Sequence, residues 1–563
     1  MTASLTSIPE KPPAGTAVRI GWAVLVLATL YICYFSHLGA IGFVGPDEPR
    51  YAWIARDMAE TGDWVTPRLY GKPWFEKPPL FYWGAAICFK IFGVSETAAR
   101  LPSAISALLA TLALAWLAWR LYGQETARWL LLLLPTSVGM IGFSHAAATD
   151  MPFSGMLTIA MVCAAVVLGL TRNENTPILP RTPWLALIFF GFFLGLAVLA
   201  KGPAAIILCG GAVFFWAIFT RRGGDSLRLF HPAAIAAFCL TALPWYILCG
   251  RLNPDFFRVF IIEHNFKRYL TPEFQHIQPF WYYVPVVTAA FLPWTALLLW
   301  SAVSAARTLW RSRILSASGW FFLCWAACCV AFFTISRSKL PGYILPAVPA
   351  IGAILARDLS NRLRQNIASV RWVCLGISVT LVVLGVLIRL ESARIPFVTD
   401  ISPAPAVVRL YLVVILAGIV VGTLAILRRI HAALLLAAIA LPAFLMFGSQ
   451  DLWQLDEGVS ARPAALHALN YFTKADLDKA ADYKLKRGLA FGLAFYFRRQ
   501  LQEWVPDNTR HSIIFTSSAY SRELEPLGAE CQSYISYRAV TICEAPNGEP
   551  RLMRGSPGSG KLK

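Results

Sequence analysis

Gly45-Pro46-Asp47-Glu48-Pro49-Arg50-Tyr51 follows directly on an apolar run from Ile20 to Val44. A run of about 20 mostly apolar residues is enough to cross a bilayer, so the charged heptad marks the place where the chain leaves the membrane. A second dense stretch follows, Lys72-Pro73-Trp74-Phe75-Glu76-Lys77-Pro78-Pro79-Leu80. In a chain with few charges, such stretches are either solvated loops or a site, and the rest of the sequence has to decide.

The 563 residues are 57% hydrophobic and 14% charged, with a mean hydropathy of +0.57. That is far more apolar than an ordinary globular domain, and it defines a polytopic α-helical integral membrane protein. Runs suited to spanning are Ile20 to Val44, Ala98 to Leu121, Trp129 to Phe143, Met151 to Leu170, Trp184 to Ala200, Pro203 to Thr220 and Pro232 to Cys249. Beyond them come Phe280 to Ser301, Gly319 to Ile335, Pro341 to Ala356, Trp372 to Leu390, Val407 to Leu427 and Ala432 to Gly448. About thirteen transmembrane helices result. The segment Leu80 to Val94 is short and carries Lys90, and reads as an interfacial helix. Met1 to Val18 is polar and Pro-rich, so the first run is expected to be an uncleaved anchor.

The net charge of +19 does not point to nucleic acid, because much of the excess sits in short Arg-rich loops on alternate connections. Those loops belong in the cytoplasm. The opposite loops are then extracytoplasmic: 45–97, the turn before Asp150, Lys201-Gly202-Pro203, Arg251 to Pro279, Ser336 to Gly342 and everything after Ser449. Residues 1–448 read as the membrane domain and 449–563 as a C-terminal periplasmic α/β domain with short β-like runs at His511 to Phe515 and Arg538 to Cys543. Ten of twelve cysteines lie in or beside apolar spans and read as small buried hydrophobes. Cys531 and Cys543 stand apart on the oxidising side, where a disulfide between them is expected.

The outward loops hold the unusual chemistry. Asp47 lies among prolines that favour extended or turned backbone. It is either a solvated helix end or a fixed base or anchor. Asp150, in Thr149-Asp150-Met151-Pro152, fits a helix cap that can also face a cavity. Glu76 and Lys77 precede the aromatic helix with Tyr82. Lys201, Arg337 and Lys339 are cations on the side that positive charge normally avoids. His264 and Arg268 occupy the long outer loop, and Glu76 with His264 offers a divalent-metal pair. Arg as a fork and Lys as a point charge both suit phosphate. Carboxylates and phosphate-type cations at one membrane surface suggest transfer between phosphorylated lipids.

Five stretches carry a resemblance: Gly45 to Tyr51, Lys72 to Leu80, Thr149-Asp150-Met-Pro, Ala200-Lys201-Gly202-Pro203 and Ser336 to Tyr343. Together, in this order, they resemble the bacterial lipid A aminoarabinose transferases, within the GT-C glycosyltransferases that include protein O-mannosyltransferases. The resemblance implies transfer of 4-amino-4-deoxy-L-arabinose from undecaprenyl phosphate to lipid A at the periplasmic face of the bacterial inner membrane, conferring polymyxin resistance. The expected site has Asp47 and Asp150 as catalytic carboxylates. Glu48, Arg50, Tyr51, Glu76, Lys77, Tyr82, Lys201, His264, Arg268, Arg337, Lys339 and Tyr343 would contact substrate. No cofactor is required, with a metal held by Glu76 and His264 as the alternative. A protein O-mannosyltransferase and a lipid transporter or flippase are the competing classes.

Overall fold

The computed structural model describes residues 15–171, 183–267, 277–312, 315–392, 405–447, 452–505, 513–531 and 539–544. Among them nine helices are long and apolar enough to cross a membrane. A tenth span is formed if α5 (Gln124–Leu133) and α6 (Val138–Ser144), bent by 62° at their junction, count as one. Every one of the thirteen apolar runs contains helix. The difference in number arises because α9 (Ala204–Thr220) and Ile430–Met446 are short, and because the Phe280 to Ser301 run is split between Tyr283–Ala290 and Thr295–Ser312.

The first span is α1 (Thr16–Tyr34). The charged heptad that follows does not stay extended. Asp47 opens α2 (Asp47–Thr61), a helix the two prolines had argued against. Proline is tolerated in a first helical turn, where its missing N–H has no partner to lose, and two acids there complement the helix dipole. Gly62 in left-handed conformation ends α2, returning its N–H to the Met58 carbonyl. A two-strand hairpin, β1 (Arg68–Leu69) and β2 (Lys72–Pro73), turns through Tyr70-Gly71, both at positive φ as a tight hairpin of this length favours. It leads to the short amphipathic α3 (Leu80–Phe92).

Ser95 caps the long α4 (Glu96–Tyr122) by accepting the Ala98 N–H. The pair α7 (Asp150–Val167) and α8 (Trp184–Lys201) runs out and back, so Asp150 and Lys201 fall at the same end of the bundle. The membrane core is built from residues of all these spans, with Phe153, Trp216, Trp294 and Phe321 among its largest buried side chains.

Beyond Leu452 the chain forms a mixed sheet in the order β4 (Gln502–Glu503), β3 (Ala480–Tyr483), β5 (Ile513–Thr516), β6 (Thr541–Glu544). β3 runs parallel to β4 and β5, and β6 pairs antiparallel to β5. Helix Arg487–Phe497 follows β3 and covers the sheet with helix Arg462–Tyr471 through Ala464, Ala465, Leu493 and Phe515. Cys531 and Cys543 are joined in a disulfide, with Cα atoms 4.3 Å apart.

Candidate active site

Arg50 is the centre of the site. Its place on the first turn of α2 turns the guanidinium inward, where it is 5% exposed. One nitrogen donates to Asp47 Oδ1 at 2.5 Å, and another lies 3.1 Å from Glu76 Oε2. The side chain of Asp47 is 49% exposed and that of Glu76 only 10%, so one carboxylate looks outward from the pair and the other backs it. Burial works against the Arg50 charge, but Glu76, Tyr51 and Asp47 outweigh it and raise its pKa. Trp74 lies 5.3 Å and Tyr51 5.4 Å from the guanidinium carbon.

Three buried donor atoms here lack a hydrogen-bond partner among the described residues: Arg50 Nε, Trp74 Nε1 and the Tyr82 hydroxyl. An unsatisfied buried polar group costs about 1–3 kcal/mol, and native sites keep one only for a reason. All three can donate, so the ligand they suit is rich in acceptor oxygens. Tyr51 and Tyr82 are themselves buried and pack ring to ring at 5.7 Å. They form the wall behind Arg50 more than an open sugar face.

The second cluster grows from the α7–α8 pair. Asp150 was expected to cap α7; it is instead its first residue, and its Oδ1 accepts a 2.5 Å hydrogen bond from Lys201 Nζ. An acid at a helix N-terminus and a base at a helix C-terminus each complement the dipole, which favours this pairing. Lys201 Nζ also lies 4.6 Å from the Tyr343 ring, in the 3-10 turn Pro341–Ala347. Gly342 is fitted against the pair: a Cβ on it would lie 2.7 Å from Asp150 Oδ1 and 2.9 Å from Phe143. Gly342→Ala is therefore expected to displace Asp150 and lower turnover about ten- to a hundredfold while leaving the amount of membrane protein unchanged. Rate measurements beside immunoblots of membranes check it; an unaltered rate would mean that the Asp150–Lys201 geometry is not needed.

The two clusters share an end of the bundle. Glu48 Oε1, one residue after Asp47, accepts the Ala147 N–H at 2.7 Å, three residues before Asp150. Phe75, beside Glu76, packs in one apolar group with Leu199, two residues before Lys201.

Lys339 is 7% exposed and donates to the Ser336 carbonyl at 2.7 Å. Burial and then the neighbouring Arg337 hold its pKa below the usual lysine value. Arg337 itself is exposed, and Lys77 is half-buried beside Glu76. Glu76 and His264 line one cleft of about 520 Å³ together with Trp74, Asn253, Asp255 and Arg258. No group of three or more His, Cys, Asp or Glu residues suited to a metal occurs among the described residues. Glu76 and His264 thus share a cleft, without a third such residue grouped with them among the described residues. Arg268 lies outside the described residues.

A further expectation is corrected. Glu48 does not face a ligand: besides Ala147 it accepts the Val44 N–H at 2.7 Å and forms a two-pronged pair with Arg100 at 3.0 and 2.8 Å. Its four acceptor positions are filled from within, which makes it a brace. Arg100, Trp74 and Phe491, whose ring lies 5.9 Å from the Arg50 guanidinium carbon, were not singled out from the sequence as site residues. Trp74 lies inside a quoted motif, while nothing local marks the other two.

Helical spans with carboxylates and cations gathered at one end are the layout expected of a GT-C type membrane glycosyltransferase. The chain superposes with a TM-score of 0.74 on the crystal structure of ArnT from Cupriavidus metallidurans bound to undecaprenyl phosphate, over 94% of this chain and 99% of that one at 23% identity. The same protein in the apo state gives 0.73 over 95% and 100%, also at 23% identity. The family model for dolichyl-phosphate-mannose-protein mannosyltransferase matches residues 21–260. The undecaprenyl phosphate-alpha-4-amino-4-deoxy-L-arabinose arabinosyl transferase of Serratia proteamaculans is 32% identical over 386 residues, 68% of this chain and 67% of that protein. Its namesake in Erwinia tasmaniensis is 34% identical over 312 residues, 55% of this chain and 54% of that one. The chain belongs to this arabinosyl transferase family.

Proposed function

We propose that this chain transfers 4-amino-4-deoxy-L-arabinose from undecaprenyl phosphate to a phosphate of lipid A, at the periplasmic face of the inner membrane. The observation that supports it most directly is the Arg50 centre: a buried cation with a free Nε–H and two further unpartnered donors, Trp74 Nε1 and the Tyr82 hydroxyl, flanked by two carboxylates. Donors and positive charge suit phosphate and sugar oxygens. A half-exposed carboxylate suits the ammonium of an amino sugar.

In the reaction an acceptor phosphate oxygen attacks C1 of the sugar, and the bond from C1 to the carrier phosphate breaks. The electron pair leaves with undecaprenyl phosphate. A phosphate monoester has a second pKa of about 6 and is ionised near neutrality, so no strong base is required. Asp47 is then a positioning carboxylate, with Asp150 as a second acidic contact whose charge Lys201 balances. Lys77, Lys201, Arg268 and Lys339 hold the phosphates and offset the charge growing on the leaving group. Neutralising lipid A in this way is expected to confer polymyxin resistance on cells that make the protein.

Mass analysis of lipid A from cells with and without this protein tests the proposal. The expected result is a species heavier by one aminopentose only when the protein is present. Unmodified lipid A alongside newly glycosylated envelope proteins would favour protein O-mannosyl transfer, for which a Ser or Thr hydroxyl does need a base. A transporter is disfavoured because its ionisable residues belong near the bilayer midplane, whereas Asp150 and Lys201 sit at helix ends.

A further inference from the structure

The helix Arg487–Phe497 lies on the opening stretch of the site. Gly488 meets backbone directly: a Cβ on it would be 2.7 Å from the Gly45 carbonyl carbon, 2.8 Å from its oxygen and 3.1 Å from the Pro46 nitrogen. One turn on, the Phe491 ring lies 5.9 Å from the Arg50 guanidinium carbon and 5.3 Å from that of Arg487. The neighbouring segment is tied down as well. Asp456 accepts the Gly42 N–H at 2.7 Å, and Arg462 donates to the Gly39 and Ala40 carbonyls, each at 2.7 Å. Val44 bridges to Ser460. Arg56 of α2 donates to the Phe495 carbonyl at 3.1 Å, and Tyr496 donates to Glu96 of α4 at 2.6 Å.

From Gly39 to Pro46, then, the connection between the first span and Asp47 is gripped from the C-terminal side of the chain. We infer that the C-terminal α/β region is a working part of the active site, with Gly488 and Phe491 as positioning residues that fix the Gly45-Pro46 turn and through it Asp47 and Arg50. This rests on the transferase reading only for the meaning of the site; the grip itself is independent of substrate. Glycine is needed at 488 because the contact is backbone to backbone, and no side chain on the other partner can yield. A shift of about 1 Å in a positioned group can cost about a hundredfold in rate.

The test uses the full-length protein in membranes. Gly488→Ala and Gly488→Val are compared with Leu527→Ala, a truncation of an exposed side chain elsewhere in the C-terminal region. Two readouts are taken: steady-state kinetics with the undecaprenyl-linked aminosugar donor, and hydrogen exchange of residues 42–50. Gly488→Ala is expected to lower kcat about tenfold and Gly488→Val about a hundredfold. The donor KM should stay within about threefold. Exchange in 42–50 should accelerate with side-chain size at 488 while α7 stays protected. Leu527→Ala should leave both nearly unchanged. Wild-type kcat in Gly488→Val overturns the inference, as do equal losses at 488 and 527, or lost turnover without faster exchange. If the wild-type protein does not turn over that donor at all, the transferase reading fails, and the exchange series still decides whether 488 holds the loop.

Discussion

Asp47→Asn is expected to reduce transfer to lipid A on the order of a thousandfold with membrane levels unchanged, because it removes charge from the one open carboxylate of the Arg50 centre. Asparagine keeps the shape and one acceptor oxygen, so α2 and its packing survive. What changes is the balance: Arg50 is left with Glu76 as its carboxylate partner, and the outward face of the site loses the group that would hold an ammonium. If Asp47 served as a base toward the acceptor, the wild-type rate would track its own titration. If it positions substrate, the acidic limb of the profile follows the acceptor phosphate, near pH 6. Asp47→Glu separates the two further, since it keeps charge but moves it by a methylene. Substantial loss in that variant argues for positioning. Undiminished lipid A modification and polymyxin resistance with Asp47→Asn would remove Asp47 from the mechanism.

The parts of this site that were legible from sequence are those marked by local contrast. Charges interrupting apolar runs identified Asp47, Glu76, Asp150, Lys201 and Lys339, and the side of the membrane grouped them. The structure brings Asp47, Arg50 and Glu76 into one centre and Asp150, Lys201 and Tyr343 into another. Two local rules misled. Proline in Gly45-Pro46-Asp47-Glu48-Pro49 suggests extended chain, yet all three residues from Asp47 to Pro49 are in a first helical turn where proline is harmless. Asp150 resembles a cap, but a lysine brought within reach by the α7–α8 hairpin takes its carboxylate. The remaining omissions are long-range. Glu48 and Arg100 are 52 residues apart, and Gly488 and Phe491 reach the first loop from the far end of the chain. No periodicity or spacing records such a contact; only the fold creates it.

Arg100→Met is expected to be the most destabilising change near the site. Arg100 is 5% exposed and spends all five N–H groups within the protein. Nε and Nη2 hold Glu48, Nη1 donates to the Leu38 and Ile41 carbonyls at 2.7 Å each, and Nη2 also donates to the Gly42 carbonyl at 2.8 Å. Methionine fills much of the space but leaves a buried carboxylate without its counter-charge and three carbonyls without a donor. Breaking a buried pair from one side costs about 3–5 kcal/mol, far more than the pair is worth against an apolar replacement. Lysine does not rescue it, since a single ammonium cannot reproduce the fork. The physical signature is therefore non-additivity. Glu48→Gln combined with Arg100→Met removes the stranded charge and should recover part of the stability lost by Arg100→Met alone, in a thermal-unfolding cycle on detergent-purified protein. Equal stability of Arg100→Met and wild type would refute the brace. Its failure should also reach the chemistry, because the carbonyls it gathers belong to the segment that delivers Asp47.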